Sequence, residues 1–134
     1  SYGFEFSNIH LSCELRLDSV NQTPLPWHTF LIRLTDANGY IASFCLHPEG
    51  GMLDFSEKQP QGGYRSHPLD AFSRTVARDV WHPLELRVSG PQIEVTAMGH
   101  ELKGEHPAID CAKTSILFGA QTAASIRRLK IWDA

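Results

Sequence analysis

Histidines are the most conspicuous groups in this chain that could do chemistry, with seven among 134 residues. Four of them directly precede proline, namely His47, His67, His82 and His106. Metal sites on one element need short spacings such as His-x-His, and the sequence contains none. A metal site would have to assemble from different strands, for example from His28, His47 and His67. Surface histidines beside turns are the simpler interpretation, so no metal site is predicted.

Carboxylates are the second group that could carry a reaction. Glycoside hydrolysis needs two carboxyl groups at a defined separation. Glu14, Arg16 and Asp18 alternate along one predicted strand face, an arrangement typical of a surface ion-pair row. Glu49 and Asp54 flank a glycine-rich stretch and are looser candidates. The sequence contains no nucleophile motif such as G-x-S-x-G, and it leaves the catalytic residues unknown.

A sugar site needs exposed aromatic faces together with polar groups, because sugars present C–H patches and hydroxyls. Trp27 and Arg33 share one face of a predicted strand whose other face is apolar. The next strand ends at a histidine, and a glycine-rich loop at 62–67 could close over the same groove. The alternative places Trp27 in the core and makes the loop only a connection. The candidate ligand-binding residues are Trp27, Arg33, His47, Tyr64, Arg65 and His67.

Calcium is the one cofactor for which the sequence offers a candidate. Loop carboxylates and carbonyls bind this ion, and segment 36–39 reads Asp-Ala-Asn-Gly. A hairpin turn also accounts for this segment, because Asn and Gly tolerate positive φ. The double glycines at 50–51 and 62–63 lack the Lys-Ser/Thr and the helix of a phosphate-binding loop. No other cofactor is predicted.

Length and composition limit the class of protein. A chain of 134 residues fits one domain, 1–134, and can bury a core without a metal or a disulfide. The net charge of -3 and the absence of a basic run argue against a nucleic-acid partner. No apolar run is long enough to span a bilayer. Cys13, Cys45 and Cys111 permit at most one internal disulfide and require none.

Period-two alternation of apolar and polar residues marks the strands that must position these groups. Helix signals are nearly absent, and the best is a single turn around 70–74. Many strands without helices predict an all-β fold, a two-sheet antiparallel β-sandwich of the jelly-roll type. The predicted strands cover 9–20, 27–35, 40–47, a hairpin at 80–98, 115–120 and 125–132.

The middle of the chain breaks this alternation. Segment 48–78 is rich in glycine and proline, which predicts short strands near 52–55 and 72–76 inside a long functional loop. Segment 99–102 is expected to continue or cap the second strand of the hairpin.

The order of motifs resembles a known family. An opening strand of the type F-x-L-x-x-E-x-R corresponds to 6–16, and a hairpin that begins with Trp corresponds to 81–93. Closing motifs of the types G-x-I-G-L-Q and V-x-F-R-N-I-x-I correspond to 116–121 and 125–132. Together they resemble the concanavalin A-like (laminin G-like) jelly roll and, more narrowly, the bacterial 3-keto-disaccharide hydrolase domain family. The resemblance covers nearly the whole chain.

This resemblance implies a carbohydrate-binding or carbohydrate-processing accessory domain that uses the concave sheet face. It also implies a carbohydrate ligand, a bacterial secreted protein in the extracellular space or periplasm, and a place in a larger multidomain protein. Two alternatives stay open: a glycoside hydrolase or lyase acting on 3-keto glycosides, and a protein–protein interaction domain. Thr122 and Ala123 depart from the family pattern beside the cleft, which favours binding over hydrolysis.

Overall fold

Two antiparallel sheets of five strands each form a β-sandwich in the computed structural model, which describes residues 5–18, 30–36, 39–120 and 124–132. This confirms the predicted all-β jelly roll. The strands are β1 (Ile9–Leu17), β2 (Phe30–Asp36), β3 (Gly39–His47), β4 (Gly50–Lys58), β5 (Tyr64–Ser73), β6 (His82–Ser89), β7 (Gln92–Ala97), β8 (His100–Glu105), β9 (Ser115–Gly119) and β10 (Ala124–Trp132).

The strand order determines which strands are neighbours in each sheet. The first sheet has the order β10-β1-β6-β7-β8, and the second has the order β5-β4-β3-β2-β9. Within the described ranges, no helix has both the length and the apolar character needed to cross a bilayer.

The inward faces of both sheets form one apolar core. Burial alternates strictly along β1 and through most of β2, as the sequence pattern predicts. Each large aliphatic side chain removed from water contributes about 1.5–3 kcal/mol. Cys13 is 5% exposed and packs in this core as a small apolar side chain. The largest buried side chains include Phe30, Phe44, Ile9, Leu11, Leu15, Ile32, Leu34, Leu46 and Leu53.

The long loop predicted at 48–78 is wrong, because this segment contains the two long strands β4 and β5. The short strand predicted near 52–55 lies within β4, and the one near 72–76 overlaps only the end of β5. The alternation is hidden in β4, where consecutive residues 53–55 are all buried. A register shift between Leu53 and Asp54 also interrupts the pairing with β5. Pro68 is tolerated because β5 is an edge strand of its sheet.

Two smaller predictions are also wrong. The helical turn expected at 70–74 falls mostly within strand β5, which ends at Ser73. The segment after the hairpin is a separate strand, β8, because Met98 and Gly99 turn the chain with φ of 51° and 76°. A short 3-10 turn at Pro107–Ile109, which the sequence did not reveal, follows β8.

The two sheets meet along the seam between edge strands β5 and β8. Leu69 packs so closely on Gly104 that a Cβ there would lie 2.7 Å from the leucine Cβ. The Asp70 carboxylate accepts a hydrogen bond from the Lys103 backbone N–H at 3.0 Å. These contacts close one side of the sandwich and hold β5 in place beneath the candidate site.

At the opposite edge of the first sheet, β10 is kinked. The pairing of β1 with β10 shifts register between Ser12 and Glu14. Arg128 lies in this bulge with φ of 54°. The bulge and its cationic neighbours Arg127 and Lys130 are features that discourage an edge strand from pairing with other chains.

Candidate functional site

The outer face of the second sheet carries a connected set of polar and aromatic side chains. Register places Arg33 of β2 beside Ser43 of β3, and Ser43 beside Asp54 of β4. Their neighbours Ile32 and Phe44 are fully buried on the inward face, so the first set points outward. We call this set the outer-face strip; it consists of Arg33, Tyr40, Ser43, Asp54, Tyr64 and Ser66.

A buried carboxylate lies at the centre of the outer-face strip. Asp54 is only 7% exposed, and Ser43 beside it is 4% exposed. The Ser43 hydroxyl donates to Asp54 Oδ1. The Ser66 hydroxyl donates to Asp54 Oδ2 at 2.6 Å. Two charge-assisted hydrogen bonds therefore fix the carboxylate and satisfy both of its oxygens.

Arg33 is held differently, by an aromatic ring. Its guanidinium carbon lies 4.2 Å from the centroid of the Tyr40 ring, a cation–π contact. Among the described residues, no carboxylate lies within 4.0 Å of this guanidinium, and its buried Nε has no hydrogen-bond partner. A buried donor without a partner is costly, so Arg33 is the side chain of the strip whose hydrogen-bonding capacity is least satisfied.

Two tyrosines form an aromatic platform at one end of the strip. The Tyr40 and Tyr64 rings are 4.7 Å apart, and each side chain is 40% exposed. Gly39 makes room for this arrangement, since a Cβ at that position would lie 1.6 Å from the Tyr64 hydroxyl. Gly39 also has φ of 124°, which favours glycine.

A cavity of about 530 Å³ opens where the platform meets the end of the sandwich. His67 Nε2 lies 2.6 Å from Glu57 Oε2. The Phe55 ring stacks on His106 at a centroid distance of 3.9 Å. We call this space the end cavity; its lining includes Tyr40, Phe55, Glu57, Tyr64, His67 and His106.

The His67–Glu57 pair gives the end cavity acid–base capability. A carboxylate that accepts from one ring nitrogen fixes the imidazole orientation and leaves the other nitrogen to take or give a proton. His106 is committed elsewhere, because its Nδ1 accepts from the Ala108 backbone N–H at 3.1 Å.

The structure brings some of the predicted ligand residues together and separates others. Arg33 and Tyr64 belong to the outer-face strip, and His67 lines the end cavity. Arg65 is exposed on β5, opposite Glu57 in register. His47 lies four residues beyond Ser43, about 13 Å along β3 and away from the platform.

Other predicted positions fall beyond what the structure describes. Trp27 and His28 lie outside the described residues, as do positions 37 and 38 of the candidate calcium segment. No cluster of three or more His, Cys, Asp or Glu side chains suited to a metal is present in the described part of the chain. Glu49 is exposed in the turn between β3 and β4, outside the end cavity.

The predicted ion-pair row is confirmed on the outer face of the first sheet. Arg16 Nε contacts Asp18 Oδ1, and Arg127 Nε contacts Glu14 Oε1 at 3.0 Å. These carboxylates are therefore occupied by arginines, and they lie on the opposite sheet from the outer-face strip.

Sequence reasoning missed Tyr40, Ser43 and His106 and gave Asp54 only a minor place. Tyr40 could have been found, because it is a large aromatic residue at the start of a predicted strand beside a turn. Ser43 and Asp54 gave no usable signal, since their importance depends on the register between β3 and β4.

Cys45 also points to this outer face, and it is an unreactive neighbour. Its register partners are Leu31 and Met52, which make an apolar row beside the strip. Burial first, and then the Asp54 charge, raise the pKa of the Cys45 thiol to about 11. The thiol therefore stays protonated at neutral pH and is not a nucleophile.

Comparison with solved structures shows the same fold. The carbohydrate-binding module CBM66 from Bacillus subtilis superposes with a TM-score of 0.70 at 9% identity, over 98% of this chain and 78% of the module. The polysaccharide lyase family 7 alginate lyase A1-II' gives 0.61 at 10% identity, over 96% of this chain and 63% of the lyase. An alginate lyase from Klebsiella pneumoniae gives 0.55 at 13% identity, over 95% and 60%.

No protein-family model matches this sequence, and no curated protein matches it. The structural matches support the concanavalin A-like jelly roll as the fold, while the narrower resemblance to the 3-keto-disaccharide hydrolase family stays a prediction. The chain spans less than two thirds of the length of each of these two alginate lyases.

Proposed function

We propose that this chain is a carbohydrate-binding domain and that the outer-face strip is its ligand site. The observation that carries the proposal is the Tyr40–Tyr64 platform next to two fixed polar groups, Arg33 and Asp54. An exposed ring accepts the C–H face of a sugar, and the polar groups orient its hydroxyls.

The comparisons support the same class of ligand. One structural neighbour is named as a carbohydrate-binding module, and others are named as alginate lyases. In keeping with such proteins, we place this domain outside the cytoplasm, in the extracellular space or periplasm. We also propose that it is one module of a larger protein.

Calorimetric titration with a panel of neutral and acidic oligosaccharides tests the proposal. We expect one series to bind, and Tyr40→Ala to weaken its binding by roughly tenfold through loss of about 1.4 kcal/mol of ring contact. Trp132→Ala is the matched control, because Trp132 is 44% exposed on the other sheet. No heat of binding with any saccharide, or equal losses in both variants, would count against the proposal.

The His67–Glu57 pair supports a second candidate, a hydrolase or lyase that acts on 3-keto glycosides. A ketone at C3 acidifies the proton at C2, so a single base can start elimination of the group at C1. His67, oriented by Glu57 at 2.6 Å in the end cavity, is the candidate base.

Incubation with a 3-keto glucoside and with its unoxidised parent tests this candidate. The expected result is release of the aglycone from the keto compound alone, with at least a hundredfold loss in His67→Ala. His82→Ala is the control, because His82 contacts the Ala77 carbonyl oxygen away from the end cavity. Failure to release the aglycone from the keto compound would leave the chain as a binding domain only.

A further inference from the structure

We propose that Arg33 binds a carboxylate group of the ligand. The saccharide bound on the outer-face strip is therefore an acidic one that carries uronate groups. This inference rests on the proposed saccharide site and adds the chemical class of its ligand. It is based on the contacts of the Arg33 side chain and on the hydrogen bonds and ion pairs of the carboxylates around it.

Arg33 differs from three arginines on the opposite sheet, each of which contacts a carboxylate. Arg16 contacts Asp18, while Arg127 and Arg128 both contact Glu14, the latter two at 3.0 Å. In the described part of the chain, Arg33 contacts the Tyr40 ring and forms no ion pair with a carboxylate. A half-buried guanidinium has lost part of its hydration. If no anion of the protein replaces that hydration, the guanidinium favours binding of an external anion.

The carboxylate of Asp54 does not fill this role. Both of its oxygens accept hydrogen bonds from serine hydroxyls, and no ion pair within 4.0 Å joins it to Arg33. Asp36 and Glu57 both line the nearby end cavity. Glu57 contacts His67, and neither of these two carboxylates forms an ion pair within 4.0 Å with Arg33. In the strip, the Asp54 carboxylate is therefore satisfied by neutral hydroxyl donors, while the Arg33 guanidinium has no anionic partner.

The contact with Tyr40 leaves the right donors available. The guanidinium carbon lies over the Tyr40 ring, a contact that uses the cation's charge and takes no carboxylate or carbonyl acceptor, and a guanidinium can pair two of its N–H groups with both oxygens of a carboxylate. The Nε is buried and also lacks a partner, so an incoming carboxylate would meet the terminal N–H groups first. A neutral hydroxyl could take only one of them and would lack the charge that roughly doubles such a bond.

Titration of matched ligands tests the inference. Trisaccharides of galacturonate, mannuronate and glucuronate are each compared with their methyl esters, which keep the shape and remove the charge. For the best-bound series we expect the acid to bind at least tenfold more tightly than the ester. Arg33→Gln should lower the affinity for the acid to that for the ester, while Arg87→Gln, on the first sheet beside His10, should change neither.

The two proposals fail in different ways. If esters or neutral sugars bind the unaltered chain as tightly as the acids, the carboxylate inference is overturned and the saccharide site stands. If no saccharide binds, the proposed function fails and this inference fails with it. Thermal unfolding checks that Arg33→Gln folds; if it does not, the comparison of acid and ester on the unaltered chain still decides.

Discussion

Lys113 is the most unusual single residue of the described chain, because its side chain is fully buried. Its ammonium donates to the backbone carbonyls of Ser7, Ile109 and Cys111 at 2.9, 2.6 and 2.9 Å. Its backbone also bridges to Phe6. One cation thus joins the segment before β1 to the segment between the 3-10 turn and β9.

Replacing this ammonium should be costly. Lys113→Met keeps the length of the side chain and leaves three carbonyls without their donor, so we expect a loss of about 2–4 kcal/mol in the free energy of unfolding. Urea titration followed by circular dichroism measures the change. Lys130→Met, at an exposed position of β10, is the control and should change stability by less than about 0.5 kcal/mol.

The same residue predicts a pH effect. Burial lowers the pKa of Lys113, so the folded chain holds this proton less tightly than the unfolded chain does. Burial of the charged form costs stability below the folded-state pKa, and this cost is relieved as the pH rises toward the ordinary value of 10.5. The stability difference between the unaltered chain and Lys113→Met should therefore be larger near pH 9.5 than at pH 7. A smaller difference at the higher pH would contradict this assignment.

The cysteines should react in a definite order. Burial raises the pKa of both Cys13 and Cys45 to about 11. Cys111 is only half-buried, although burial raises its pKa as well. Since only the accessible thiolate reacts, iodoacetamide at pH 8 should label Cys111 first and the other two only on unfolding. Peptide mass spectrometry measures the three rates, and equal rates in the folded chain would refute the order.

At the scale of the element, the seam between β5 and β8 should be intolerant of added volume. Gly104→Ala places a Cβ 2.7 Å from Leu69 and should cost about 1–3 kcal/mol. Gly119→Ala is the matched control, since its Cβ would meet nothing closer than Leu31 at 3.9 Å. We expect that control to change stability by less than about 1 kcal/mol. Equal effects in thermal melts would mean that the seam does not hold the sheets together.

Individual strands were predictable where one face is buried and the other is exposed to solvent. β1, β6 and β7 show this alternation in the sequence and adopt it in the structure. β4 was predicted only as a short strand near 52–55, because Asp54 is buried on its outer face and hides the rest of the period. The buried polar residue Asp54, which obscured the extent of β4 in the sequence, is also the centre of the outer-face strip.

The whole molecule should unfold as one unit if the prediction of a single domain over 1–134 is right. The core residues of both sheets form one cluster, which favours a cooperative transition. Tryptophan fluorescence, which reports on Trp81 and Trp132 among others, and far-UV circular dichroism should give coincident urea curves. Two separated transitions would show that the sheets or segments unfold independently.

The candidate site could be predicted only in part, because it depends on how strands come together. Arg33 and Tyr64 were chosen for their chemistry, and the structure places both in the strip. Their meeting with Asp54 follows from the register of β2, β3, β4 and β5, which alternation within one strand does not encode. His47 shares the face but lies at the other end of its strand, a distance that sequence spacing alone could not reveal.

The kink at Arg128 has a consequence for how this chain behaves at high concentration. A straight, uncharged β10 would offer its open backbone as a template on which further copies could stack into filaments. The left-handed residue and the cations beside it interrupt that template. The bulge thus disfavours edge-to-edge pairing of β10 between copies of the chain. A redesign of this strand would have to keep the bulge.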